Sequence, residues 1–174
     1  MRTFLSLVLA GLFAYGGVFA APLAAQPPVN ATDQDVADAR LMKRLEAQTG
    51  ADKASLYQTL GFSYFRQQDF DRAFLYFNAA TQANPRLYWS WYYMGLLRPE
   101  KGDEYFKKAI VAKRDFSPAY YWLGRHYGKR GAFEDAIRAF EGYLEVAWSD
   151  PNEHGRMDEV REYLKKLRQG QRID

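Results

Sequence analysis

Residues 54–85, ASLYQTLGFSYFRQQDFDRAFLYFNAATQANP, constrain this chain more than any other stretch. Tyr57, Leu60, Gly61 and Tyr64 follow one another at steps of three, one and three, which puts them on one face of a helix. The polar turn Gln67-Gln68-Asp69 comes next, and then Ala73, Phe77 and Ala80 recur at steps of four and three on a second helix. Asn84-Pro85 ends that helix, because proline and the residue before it leave the α region. Gly61, with no Cβ, lets the facing helix approach closely. The unit is therefore an amphipathic helical hairpin, and related versions begin near Ser90 and Ser117.

At this point the residues resemble the tetratricopeptide repeat, whose pattern is a tryptophan, a leucine-glycine pair and a tyrosine, then an alanine and a phenylalanine, then a closing proline, at a period of about 34 residues. In the first unit Tyr57 stands for the tryptophan, and Leu60, Gly61, Tyr64, Ala73, Phe77 and Pro85 match. The third unit matches through Leu123, Gly124, Tyr127, Ala136 and Phe140, with Tyr120 at the tryptophan place and the proline displaced to Pro151. The resemblance implies an all-α fold, a right-handed superhelical stack of antiparallel helix pairs with about three units.

The middle unit departs from the pattern. Trp91, Met94 and Gly95 begin it, but Arg98 takes the tyrosine place, and Phe106 and Ala109 arrive about five residues early. Pro99 ends the first helix after roughly ten residues. Gly102 is expected to turn the chain, and Asp103-Glu104 to open the second helix, where acidic groups suit the helix dipole. The unit reads as a shortened hairpin that alters the local twist of the stack.

The expected organisation is a signal peptide over 1–25, a linker over 26–32, an N-terminal helix over 33–49 and a repeat domain over 50–170. The units fall at 54–87, 88–116 and 117–150, and a capping helix at 151–169. Arg2, the apolar run from Phe4, and the small residues before Pro27-Pro28 have the layout of an export signal. An uncleaved anchor is the alternative, since the run approaches the ~20 residues that span a bilayer. Export points to a periplasmic or secreted home. In the cap, Met157, Val160, Leu164 and Leu167 form the stripe that covers the last repeat's core.

No cysteine is present, so neither a disulfide framework nor a thiol nucleophile is available. With 17% aromatic residues, about 150 residues after the signal suffice for a hydrophobic core. The net charge of +3 is spread over interspersed acids and bases, which argues against nucleic acid as a partner. His126 and His154 are the only histidines and have no ligand spacing; no metal or cofactor site and no glycine-rich phosphate loop is expected. No carboxylate pair is singled out as acid and base, so the reading is not an enzyme.

Binding is what the resemblance implies. In tetratricopeptide arrays the first helices of successive units line a concave groove that holds partner peptides. Carried over, that face comprises Gln58, Phe62, Phe65 and Arg66 in the first unit, Trp89, Tyr92 and Leu96 in the second, and Tyr121, Arg125 and Lys129 in the third. This is an aromatic floor with basic groups at one edge, suited to an acidic segment or a C-terminal carboxylate. Gln58 and Phe62 stand where chaperone-binding members carry a basic residue and an asparagine, so their carboxylate clamp is not expected. Replacing Phe62, Arg125 and Lys129 by alanine is expected to abolish capture while leaving the thermal midpoint nearly unchanged.

The expected function is a non-catalytic scaffold in a bacterial cell envelope that binds a peptide or protein segment. A self-associating homo-oligomeric subunit of an envelope complex is the alternative, and a glycan-acting envelope enzyme a further one. Contact with membrane is expected only through an uncleaved signal.

Overall fold

A computed structural model describes residues 33–47, 50–148 and 153–173. The expected signal peptide and linker, and Pro151, lie outside the described residues. These residues form eight α-helices and one short 3-10 turn. They are α1 (Asp33–Ala47), α2 (Gly50–Arg66), α3 (Phe70–Ala83), α4 (Tyr88–Leu97), α5 (Gly102–Ala112), α6 (Ser117–Arg130), α7 (Phe133–Ala147) and α8 (His154–Arg168), with the 3-10 turn at Pro99–Lys101 between α4 and α5. Three antiparallel pairs, α2/α3, α4/α5 and α6/α7, stack in chain order, each second helix packing on the first helix of the next pair.

Each pair closes around one glycine and one phenylalanine. A Cβ at Gly61 would lie 2.6 Å from the Phe77 ring, at Gly95 2.6 Å from Phe106, and at Gly124 2.7 Å from Phe140. No side chain fits at that separation, so the rings rest directly on the helix backbone. The phenylalanine follows its glycine by sixteen residues in the outer units but by eleven in the middle one. The middle unit is shorter, and its internal contact is the same.

The structure corrects one expectation there. Gly102 does not turn the chain: Pro99–Lys101 does, and Gly102 is the buried first residue of α5 in ordinary helical geometry. It stands four residues before Phe106, as Ala73 stands before Phe77 and Ala136 before Phe140. A Cβ on Gly102 would come 3.0 Å from Nδ1 of His126, so α6 approaches α5 closely at this point.

The turns of the outer units differ in chemistry. Gly131, with φ of 77°, ends α6 in the left-handed region; Gln68 occupies the matching place after α2 with φ of 61°. Asp69 then caps α3, its carboxylate accepting the Arg72 amide at 3.0 Å.

Both ends of the stack are covered. On the first unit, α1 places buried Asp38 where its carboxylate accepts from Ser63 Oγ at 2.6 Å and from Gln67 Nε2 at 3.0 Å. On the last unit, α8 buries Val160, Leu164 and Leu167, with Met157 half-buried. Two features of this cap are not in its stripe. Glu153 is buried just ahead of α8, with its carboxylate accepting from Tyr143 Oη at 2.7 Å and pairing with Arg156 at 2.6 Å. Ile173 folds back onto Gly128 and Leu167.

Candidate interaction face

The face formed by α2, α4 and α6 carries the aromatic side chains that the sequence singles out, and the structure distributes them between packing and surface. Gln58 is half-buried and donates to Oγ of fully buried Ser90 at 3.0 Å, tying α2 to α4. Phe62 and Phe65 both set their rings edge-on to Tyr93, at 5.1 and 4.7 Å, and Phe62 also meets Phe77 at 5.2 Å. Tyr93 is therefore the centre of the first aromatic cluster, stacked on Phe77 at 5.3 Å. Because Phe62 is wedged between two rings, its truncation removes packing, and the expectation of an unchanged thermal midpoint does not hold for it.

Further along, Trp89 is 37% exposed and leans on Phe116 at 4.7 Å, while Tyr92 meets Phe116 at 5.4 Å and Phe106 at 6.1 Å. Burial pushes the Tyr92 hydroxyl pKa above its usual value, so it remains a neutral hydrogen-bonding group. Tyr121 is buried, and its hydroxyl donates to the Glu159 carboxylate at 3.1 Å, joining α6 to α8. Burial first, and then the Glu159 charge, raise its pKa. Arg66 and Lys129 are exposed at the ends of their helices.

Leu96, Arg125 and Lys129 come together at one place. With Gly95, Pro99, Phe106, Trp122 and His126 they line a cavity of about 250 Å³ between α4, the 3-10 turn and α6. The Arg125 guanidinium lies over the Trp122 ring, 5.4 Å from its centroid. His126 is held 3.8 Å from Asp103 and 3.2 Å from Nη1 of Arg130. Burial depresses its pKa, the Asp103 charge opposes this, and the Arg130 charge adds to it, so the ring is neutral near pH 7. Neither Tyr93 nor Trp122 is singled out by the sequence, and His126 reads there only as a groove or surface residue, not a catalyst. The run YWSWYYMGLL is apolar on every side, so no periodicity marks which rings face the groove.

A second, open hollow of about 460 Å³ follows the turn Gln67–Arg72 and draws its lining from that turn alone. Among the described residues no group of three His, Cys, Asp or Glu side chains is arranged to hold a metal ion.

The glycine–phenylalanine closures, the pairwise stack and the capping helix meet a direct comparison. The family model described as "Tetratricopeptide repeat" matches residues 54–87, all of the first hairpin but the opening turn of α2. The first hairpin is thus matched as a tetratricopeptide repeat, and the second and third hairpins repeat its glycine–phenylalanine closure. The SycD type III secretion translocator chaperone of Yersinia enterocolitica superposes with a TM-score of 0.63 at 11% identity, over 73% of this chain and 91% of SycD. MamA gives a TM-score of 0.60 at 20% identity, over 79% of this chain and 88% of MamA. The first repeat domain of Spaghetti (RPAP3), solved with an HSP90 peptide, gives 0.56 at 17% identity, over 67% of this chain and 97% of that domain. At such identities the likeness is one of fold. No curated protein matches the sequence.

Proposed function

We propose that this protein is a non-catalytic interaction module that holds a segment of another protein against the face of α2, α4 and α6. The observation that carries the reading is the partial exposure of that face. Trp89, Leu96 and Tyr92 present aromatic and apolar surface between the cations Arg66 and Lys129. Aromatic and arginine side chains dominate the energetics of protein interfaces. Structures of similar fold support it: the RPAP3 domain is solved with an HSP90 peptide, and SycD with a peptide of the translocator YopD.

The proposed home is a bacterial cell envelope, on the strength of the export-type N-terminus. Among the described residues, no helix is long and apolar enough to cross a membrane. Crosslinking from photoreactive groups placed at Trp89 and Lys129 of the full chain in its native envelope tests the reading. A single protein attached from both positions is expected. Attachment from the opposite face, through Leu75 for instance, with none from Trp89, overturns the assignment.

Self-association is the second reading, favoured by Val111 and Trp148, which are 82% and 69% exposed. Light scattering of the full chain distinguishes it: a monodisperse monomer at micromolar concentration removes it.

A further inference from the structure

The middle unit lacks a piece of helix that its neighbours have. α2 and α6 have 17 and 14 residues, and α4 has 10. Aligned on their Leu-Gly or Met-Gly pairs, α2 continues five residues past its glycine to Arg66 and α6 six past its own to Arg130, while α4 stops two past Gly95 at Leu97. Pro99 prevents a further turn, and the 3-10 turn carries the chain directly into α5. Opposite this missing turn, α6 presents Trp122, Arg125, His126 and Lys129, and the cavity of about 250 Å³ lies between them. Phe106, nearly fully buried, forms its floor, and Leu96 and Pro99 its near wall.

Size and charge together limit what fits. The volume is below the ~300–1,000 Å³ of pockets that hold whole small molecules, and matches one large apolar side chain. α4 carries no charged residue, the 3-10 turn carries the exposed Glu100 and Lys101, and the remaining charged groups come from α6 and α5. α6 supplies Arg125 and Lys129 at the mouth and Arg130 behind His126; α5 supplies Asp103, which lies 3.8 Å from both Lys107 and His126. Lys129 and Arg125, the latter also facing the Tyr121 hydroxyl, thus line an apolar hole, and the α5 carboxylate nearby, Asp103, already faces Lys107.

We infer that this notch binds an acidic segment of a protein partner by taking in one of its large apolar side chains, with carboxylates on either side meeting Arg125 and Lys129. The inference rests on the interaction role proposed above and names the chemistry of the segment. A ligand carboxylate also acts on His126: an added negative charge near the ring raises its pKa, which burial and Arg130 otherwise depress.

Three end-blocked fluorescent peptides test this on the full chain: one phenylalanine among glutamates, the same with alanine for the phenylalanine, and the same with lysines for the glutamates. By fluorescence anisotropy, the first is expected to bind at least about tenfold more tightly than either control. Its affinity should fall as salt rises. Lys129→Glu, a substitution at an exposed position, should weaken it at least about tenfold with circular dichroism and thermal midpoint unchanged. In proton NMR the His126 ring should titrate at higher pH with the peptide bound than without it. Equal affinity for the three peptides overturns the inference. So does wild-type affinity in Lys129→Glu with an unmoved His126. A partner crosslinked at Trp89 and kept by Lys129→Glu refutes the notch and leaves the interaction face standing. Absence of any partner at that face removes the broader role, whatever the peptides do.

Discussion

Glu153 is the residue on which the C-terminal cap depends, and its replacement has a calculable effect. Its carboxylate is buried, accepts the hydroxyl of fully buried Tyr143 at 2.7 Å, lies 3.4 Å from Ser117 Oγ, and pairs with Arg156. In Glu153→Ala the Tyr143 hydroxyl loses its short acceptor in a site without water access, which costs about 1–3 kcal/mol. The pair with Arg156, whose side chain is 43% exposed, adds no more than about 1 kcal/mol. The expected loss is about 2–3 kcal/mol, or about 5–10 °C in Tm for a chain of this size. Tyr143→Phe keeps the ring packed and should cost about 1 kcal/mol. The double variant should fall short of the sum by about 1 kcal/mol, because the second substitution removes a partner already gone. Urea unfolding followed by far-UV circular dichroism measures all four proteins. Additivity within about 0.3 kcal/mol would refute the coupling, and the cap would then depend on Val160, Leu164 and Leu167 alone.

Three further outcomes follow from the same structure. Gln68→Gly relieves a side chain from φ of 61° and should stabilise by about 0.5–1 kcal/mol, read as a rise in urea midpoint; a fall would mean that Gln68 makes a contact worth more than the strain. Phe62→Ala should destabilise by about 2–3 kcal/mol through loss of its contacts with Phe77 and Tyr93, so a binding assay on it requires a thermal melt beside it. Burial pushes the Tyr76 pKa up to about 12, and burial with hydrogen bonds to Glu153 and Glu159 raises those of Tyr143 and Tyr163. Each hydroxyl is harder to ionise folded than unfolded, so this stability is complete below pH about 10 and is lost as pH rises toward about 12. Tyrosinate absorbance and circular dichroism should therefore change together in that range; full ionisation near pH 10 with helices intact would contradict it.

The repeat, its helices and the place where α4 stops were legible in the sequence for a local reason. Gly61, Phe77 and Pro85 act within one hairpin, and Pro99 acts on the turn before it, so spacing alone locates them. The role of Gly102 was not legible. In the sequence it looks like a turn residue; the structure shows that Pro99–Lys101 makes the turn and that Gly102 lies inside α5, where His126 of α6 approaches it closely. Tyr93 was hidden for a similar reason, since its partners Phe62, Phe65 and Phe77 come from another unit.

The division in the candidate site is the same. The sequence by itself determined that Arg125 and Lys129, four residues apart on α6, share one helix face, because side-chain direction on a helix follows from a fixed period. Only the tertiary structure decided that Gln58 and Tyr121 are held in contacts between units, while Leu96, Arg125 and Lys129 meet around one cavity with Trp122 and His126. Those outcomes depend on distances between helices that are far apart in the chain. Such distances are set by how each phenylalanine seats on its glycine, and no local pattern records them.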